Sequence, residues 1–242
     1  MRAVYIGTAG WNIPRERAAQ FAGTGSHLER YSRVFNAVEI DSSFHRPHKR
    51  STYERWAASS TPDFRFAVKA PKEITHVARL KNIREPLARF LAEAGGLGQK
   101  LGAVLFQLPP SLEFDTGLAS CFFELLRDLY DGPSVLEPRH GSWFEPEPDD
   151  LLKKFRVARV AADPARVPAA AEPGGWRELA YFRLHGAPRA YYSAYSEKFL
   201  QDLSARITGL ARRSSVWCIF DNTAAGAATS NALAMLESVG SG

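Results

Sequence analysis

The chain has 242 residues, 45% hydrophobic and 24% charged, with a net charge of +5 and two cysteines. Those values belong to a globular protein with a sizeable core; they exclude a disulfide scaffold and a thiolate metal centre, and the mild basic excess favours anionic partners. No run of about 20 apolar residues and no signal-peptide pattern occurs, so the expectation is a soluble cytoplasmic protein without a membrane partner.

Residues 3–7 form a short β-prone run closed by Gly7, and the small residues after it up to Trp11 suit a tight turn. Ser26 and Glu29 are spaced as a capping box, and Leu28, Tyr31, Val34 and Phe35 share a helical face. Strand two, 37–40, runs into Asp41. The loop 45–50 is the most basic stretch and can be read either as a contact for phosphates or nucleic acid, or as a solvated loop. A helix over 51–59 and a strand over 64–69 follow, the strand alternating apolar residues with Arg65, Ala67 and Lys69.

Pro86 opens a helix that Gly95 and Gly96 close. Strand four covers 102–108, and a helix over 115–130 carries Leu118, Phe122, Leu125, Leu126 and Leu129 on one face. Strand five begins at Ser134 and delivers Glu137, Arg139 and His140 at its end. A short helix over 149–155 leads to strand six near 157. The Ala- and Pro-rich stretch 164–175 has weak helical periodicity, so the sixth helix is expected to be reduced. Strand seven runs from Leu179 to His185, a helix covers 196–210, strand eight covers 215–220, and a last helix covers 230–239.

Eight strands alternating with helices predict a single α/β domain over residues 1–242, a (β/α)8 TIM-like barrel. A doubly wound open sheet has the same local alternation, but no Gly-x-Gly-x-x-Gly follows the first strand. Successive strand side chains point to opposite faces. Glu39, Asp41, Lys69, Gln107, Glu137, Arg139, Asp163, Arg183, His185 and Asp221 occupy equivalent positions in their strands. Burying that many unpaired charges beneath outer helices would cost several kcal/mol each, so they are expected to converge inside one mouth. They also fit an internal ion-pair network that only supports the fold.

Several motifs together carry a family resemblance: Ile6 to Trp11, Val38 to Phe44, Phe66 to Pro71 with His76, Val104 to Pro110, Glu137 to Trp143, Arg183 to Gly186, and Phe220 to Asn222. Their order over most of the chain resembles the YecE-like family, domain of unknown function 72. The resemblance implies a TIM-like barrel, sometimes described as related to sugar isomerases, with no established reaction. The chain departs from the family pattern at Asp41 and Asp221, where asparagines are usual, at His45 in place of tyrosine, and at Gly141 in place of proline.

Three functional readings follow. In the first, an enzyme of isomerase or hydrolase type moves protons through Glu137, His185 and Asp221 on a small anionic substrate, phosphorylated or sugar-like. Lys69, Arg139 and Arg183 would form its anion site, with Glu39, Asp41, Gln107, His140, Asp163 and Asn222 as further binding residues. In the second, the carboxylates and His185 hold a divalent metal, as in sugar isomerases or barrel nucleases; three cations in the same mouth oppose that. In the third, the loop 45–50 with Tyr191, Tyr192 and Tyr195 binds nucleic acid without catalysis. No obligatory cofactor motif and no metal-ligand set is assigned, and the sequence does not set the oligomeric state.

Overall fold

Alternation of large and small apolar residues along each strand decides how the sheets meet. The computed structural model describes residues 2–240. Its strands are β1 (Val4–Thr8), β2 (Ala37–Ile40), β3 (Arg65–Lys69), β4 (Leu101–Gln107), β5 (Ser134–Glu137), β6 (Val157–Arg159), β7 (Ala161–Asp163), β8 (Gly174–Gly175), β9 (Leu179–Leu184) and β10 (Ser215–Phe220). The α-helices are α1 (His27–Ser32), α2 (Arg50–Ala58), α3 (Arg84–Ala94), α4 (Thr116–Leu129), α5 (Pro146–Lys154), α6 (Glu197–Leu210) and α7 (Ala227–Gly240). None of them is long and apolar enough to cross a membrane.

Local chemistry sets the helix starts. The Ser26 hydroxyl accepts from Glu29 N and Glu29 Oε2 from Ser26 N, the reciprocal box expected from their spacing. Asp115 and Ser196 cap α4 and α6 through Leu118 N and Phe199 N, and α5 begins on Pro146. After β7 only a 3-10 turn, Pro168–Ala171, and the two residues of β8 replace a helix, so the sixth helix is reduced as the weak periodicity predicts.

The strands form a mixed α/β single domain with two sheets, ordered β1-β10-β9-β7 and β2-β3-β4-β5-β6-β8. All pairings are parallel except β6 with β8. A continuous closed ring of ladders, as the barrel expectation requires, is not found, and the reasons lie at two seams. At one, the expected sixth strand is broken at Val160: β6 pairs with β5 while β7 pairs with β9. At the other, the Asn36 amide donates to Val4 O at 2.7 Å and accepts from Ile6 N at 2.8 Å, taking backbone groups that a neighbouring strand would use. Beyond it, a single bridge joins Ala9 to Glu39.

Between the sheets lies an apolar layer of small residues from one sheet, including Ala37, Ala67, Ala103 and Ala158, against Tyr181, Trp217 and Ile219 from the other. Gly102 shows the fit: a Cβ there would lie 2.4 Å from the Trp217 ring. Larger aliphatic and aromatic residues on the opposite strand faces pack beneath the helices. Of the two cysteines, Cys218 is buried and Cys121 is on the exposed side of α4.

Gly7 is where the seam is tightest, since a Cβ at this position would come within 1.9 Å of Ala37 O. Gly7→Ala must therefore push β1 from β2. Overpacking of this kind costs about 1–3 kcal/mol, and urea unfolding of the variant should show a loss in that range, whereas Gly209→Ala, with open space around it, should not.

Candidate functional site

Strand parity brings the polar residues at the strand ends onto the layer that Tyr181 and Trp217 occupy lower down. Arg183 is at the centre. Its side chain is wholly buried, and its fork is spent on three acids. Nε and Nη2 donate to Glu39, the shortest distance being 2.6 Å; Nη1 donates to Glu137 Oε2 at 2.7 Å; Nη2 also reaches Asp221 Oδ2 at 3.2 Å. Tyr181 donates to Glu39 Oε2 at 2.8 Å and Gln107 to Glu137 Oε2 at 2.9 Å.

Above this layer, Arg139 Nη2 lies 2.5 Å from Glu137 Oε1, and Lys69 Nζ lies 2.8 Å from Asp41 Oδ1 and 4.3 Å from the centre of the Phe44 ring. His185 is buried between two acids, with Nδ1 2.9 Å from Asp221 Oδ2 and Nε2 3.1 Å from Glu137 Oε1. Arg139 Nη2 is 2.9 Å from the same Nε2. The two contacts at Nε2 require opposite protonation. Neutral, with its proton on Nδ1, the ring donates to Asp221 and accepts from Arg139; protonated, it donates to Glu137 as well. Four carboxylates therefore meet three permanent cations, and a proton on His185 would balance the charge.

Electrostatics separates the members. Burial raises the Glu137 carboxyl, but Arg183 and Arg139 overcome this and hold its pKa well below the ordinary value. Asp221 is lowered in the same way, burial being outweighed by Arg183 and His185. Burial works against a charged His185, yet hydrogen bonds to Asp221 and Glu137 leave its pKa raised. Glu39 and Arg183 pull against each other: burial leaves Glu39 raised, while Glu39, Glu137 and Asp221 push Arg183 well above its ordinary value despite burial. The forked geometry at 2.6 Å is that of an ionised pair, and we take it so.

The cluster unites Glu39, Asp41, Lys69, Gln107, Glu137, Arg139, Arg183, His185 and Asp221. Three expected members stand apart. His140 contacts Ser142 and lies 3.8 Å from Glu113, Asp163 accepts from Tyr195, and the Asn222 amide donates to Ser193 O and Asn231. The three cations do meet, but each already has a carboxylate, so they do not make an open anion site. No group of three or more His, Cys, Asp or Glu is arranged to hold a metal ion among the described residues; Arg183 takes up the space among Glu39, Glu137 and Asp221. In the basic loop, His48 packs on Trp56 and hydrogen-bonds Ser42. Of the three tyrosines expected to stack on bases, Tyr191 and Tyr192 are exposed but Tyr195 is buried.

Two contributors, Tyr181 and Phe44, went unassigned by sequence, and a third, Tyr191, was assigned only to nucleic acid. Tyr181 shares strand parity with Arg183, and that signal was available. Phe44 and Tyr191, the latter with its ring edge-on to His185 at 5.8 Å, come from loops, whose course strand periodicity does not reveal. A hollow of about 430 Å³ beside the cluster is bounded by Trp11, Asn12, Ile40, Asp41 and Ser42.

The family model described as protein of unknown function DUF72 matches residues 5–242. The chain belongs to the DUF72 family. Among its relatives, the UPF0759 protein YunF of Bacillus subtilis (strain 168) is 25% identical over 97% of this chain and 94% of its own length. The UPF0759 protein YecE of Escherichia coli (strain K12) is 33% identical over 44% of this chain, and the match spans only 38% of YecE. Crystal structures of DUF72 family proteins share the fold: that from Thermotoga maritima MSB8 has a TM-score of 0.79 at 26% identity, covering 98% of both chains. That from Enterococcus faecalis V583 has a TM-score of 0.81 at 21% identity, covering 99% of this chain and 98% of its own.

Asp41 and Asp221 both sit in the cluster. Asp221 holds His185 directly, so its charge bears on the proton equilibrium of the imidazole.

Removing the central cation should be costly, because it strands buried carboxylates: Arg183→Met should lose about 3–5 kcal/mol in chemical denaturation. The raised His185 pKa carries a definite sign. An imidazole whose folded pKa exceeds its unfolded value of about 6.5 stabilises the fold below that value, and this stabilisation is lost as pH rises through the folded pKa. The stability difference between the parent and His185→Gln should therefore shrink as pH rises above about 6.5, measured by thermal unfolding across pH 5–9.

Proposed function

We propose that this protein is an acid–base enzyme that moves a proton on a small hydroxylated substrate, singly charged or sugar-like, with His185 as proton carrier. The observation that carries this reading is the competition at His185 Nε2, which lies within hydrogen-bonding distance of an acid and a guanidinium at once. A carrier must be stable with and without its proton, and these two partners serve one state each. Glu137, held ionised by two arginines, stabilises the protonated imidazole and does not itself carry the proton; Asp221 fixes the ring through Nδ1.

Substrate preference follows from which charges are already used. Arg183 is enclosed and cannot touch a ligand, while Arg139 and Asp41 retain some exposure at the side of the cluster that opens outward. A dianionic phosphate would have to displace Glu137 from Arg139 and Asp41 from Lys69. A hydroxylated compound needs no such displacement, because carboxylates and guanidinium groups bond hydroxyls in their paired state. The adjoining hollow, with Trp11 on its wall, supports this reading. Isomerisation of a hydroxy-carbonyl compound suits it best: with the partly exposed Arg139 turned aside to open Nε2, the imidazole takes a proton from the hydroxyl-bearing carbon and returns it to the carbonyl carbon, while the hydroxyl proton passes to the carbonyl oxygen, with no net change in atoms.

We also read the two sheets as halves of one interrupted (β/α)8 barrel. The bridge at Ala9 and the sharing of residues 157–163 between the sheets support that. The polar cluster then lies at the strand C-termini, where barrel enzymes have their active sites.

Exchange of substrate carbon-bound hydrogen with D2O, followed by NMR across a panel of aldoses, ketoses and sugar acids, tests the chemistry without knowledge of the product. His185→Gln should slow exchange about 10²–10⁴-fold; equal exchange in parent and variant would overturn the assignment. As a base His185 must be neutral, so the rate should rise with pH through its raised pKa. Asp221→Asn replaces the charged acceptor of a hydrogen bond that raises that pKa by a neutral one, and should shift the rising limb to lower pH.

A further inference from the structure

We propose a second binding site at the other end of the molecule, a hollow for a small oxyanion-bearing ligand built around Arg159. Strand parity turns Arg159 and Ala180 away from the layer that holds Ala158, Val160 and Tyr181 and toward the outer side of the sheets. A full sixth helix would cover that side. The turn at Pro168–Ala171 and the strand β8 do not, and a cavity of about 300 Å³ remains beneath them, lined by Arg159, Gly174, Trp176, Leu210 and Arg213 among others.

Arg159 is under-compensated in this position. It is more than nine-tenths buried, and its Nε has no hydrogen-bond partner. The nearest carboxylate, Asp149, comes only to 3.4 Å of Nη1 and has other obligations: it accepts from Gly175 N at 2.7 Å and pairs with Lys153 at 3.0 Å. Phe144 lies against the guanidinium at 5.0 Å, an apolar surface on one face of the fork. Burial lowers the Arg159 pKa more than Asp149 restores it, in keeping with a cation short of counter-charge. Arg177 and Arg213, exposed at the rim, add positive potential.

The chain also leaves space for the guanidinium. A Cβ at residue 174 would lie 2.5 Å from Arg159 Nη2 and 2.7 Å from Asp149 Oδ1, so only glycine lets β8 pass over this pair without moving it. A guanidinium fork with unused donors in a small cavity matches the paired oxygens of a phosphoryl or carboxylate group. The volume admits a small molecule and no more than a fragment of a large one. Trp176 lines this hollow and a neighbouring one with Tyr5 and Trp217, which gives binding an optical reporter.

The test is calorimetric titration of the whole protein with inorganic phosphate, pyrophosphate and citrate at constant ionic strength, with tryptophan fluorescence recorded in parallel. Saturable one-to-one binding of at least one is expected, phosphate against citrate distinguishing a phosphoryl from a carboxylate ligand. Arg159→Met, which keeps the apolar stem, should weaken it at least tenfold. Gly174→Ala should weaken it by displacing the fork with the charge retained, and serves if Arg159→Met fails to fold. His185→Gln should bind as the parent does, which separates this site from the cluster at the strand ends. Absence of saturable binding in the parent, or parent-like affinity in both Arg159→Met and Gly174→Ala, would overturn the proposal.

Discussion

Burial of the Arg183 guanidinium is the constraint on which the upper half of the molecule depends. A charge removed from water is tolerable only if its donors are met and its field is cancelled, and Arg183 has both from Glu39, Glu137 and Asp221. Those acids come from β2, from β5 and from just beyond β10, so one side chain ties together strands of both sheets. The ion pairs act across the space that the interrupted backbone ladder leaves unbridged.

The same arrangement sets the protonation of His185. Were Glu137 and Asp221 unpaired, burial would raise both and the proton would be shared among three groups. With Arg183 and Arg139 holding the acids ionised, the imidazole, its pKa raised by its hydrogen bonds to those acids, is left as the group whose charge can change. On the proposed reading a structural ion-pair network and a proton carrier are one object: the network fixes the charges around His185 and leaves that of the imidazole free to change.

The reduced sixth helix has an opposite effect lower down. Where a helix would bury the outer side of β6 and β9, a glycine pair and a short turn leave Arg159 beside a cavity with a partner it must share. Arg159 and Arg183 show how far the surroundings decide the meaning of a buried arginine: three acids close around one, and one overcommitted acid lies beside the other.

The sequence by itself located the strands apart from β8 and the β6–β7 break, most helices, the loss of the sixth helix and the shared face of most of the charged residues. These are properties of local periodicity and capping: Glu39, Glu137 and Arg183 could be placed on one face because side chains alternate along any strand. Family membership was legible for a related reason, since its motifs are the strand ends themselves. Only the tertiary structure decided which charges cancel. Lys69, Arg139 and Arg183 look like equivalent free cations in the sequence, but Asp41, Glu137 and Glu39 reach them across strands, over distances in the chain that periodicity does not encode. Asp163 satisfies the same strand-end pattern, and His140 and Asn222 follow members of it by one residue, yet neighbouring loops and α7 claim their hydrogen bonds. The break at Val160 and the Asn36 bridge were likewise settled by packing, because a backbone group's partner depends on which strand arrives beside it.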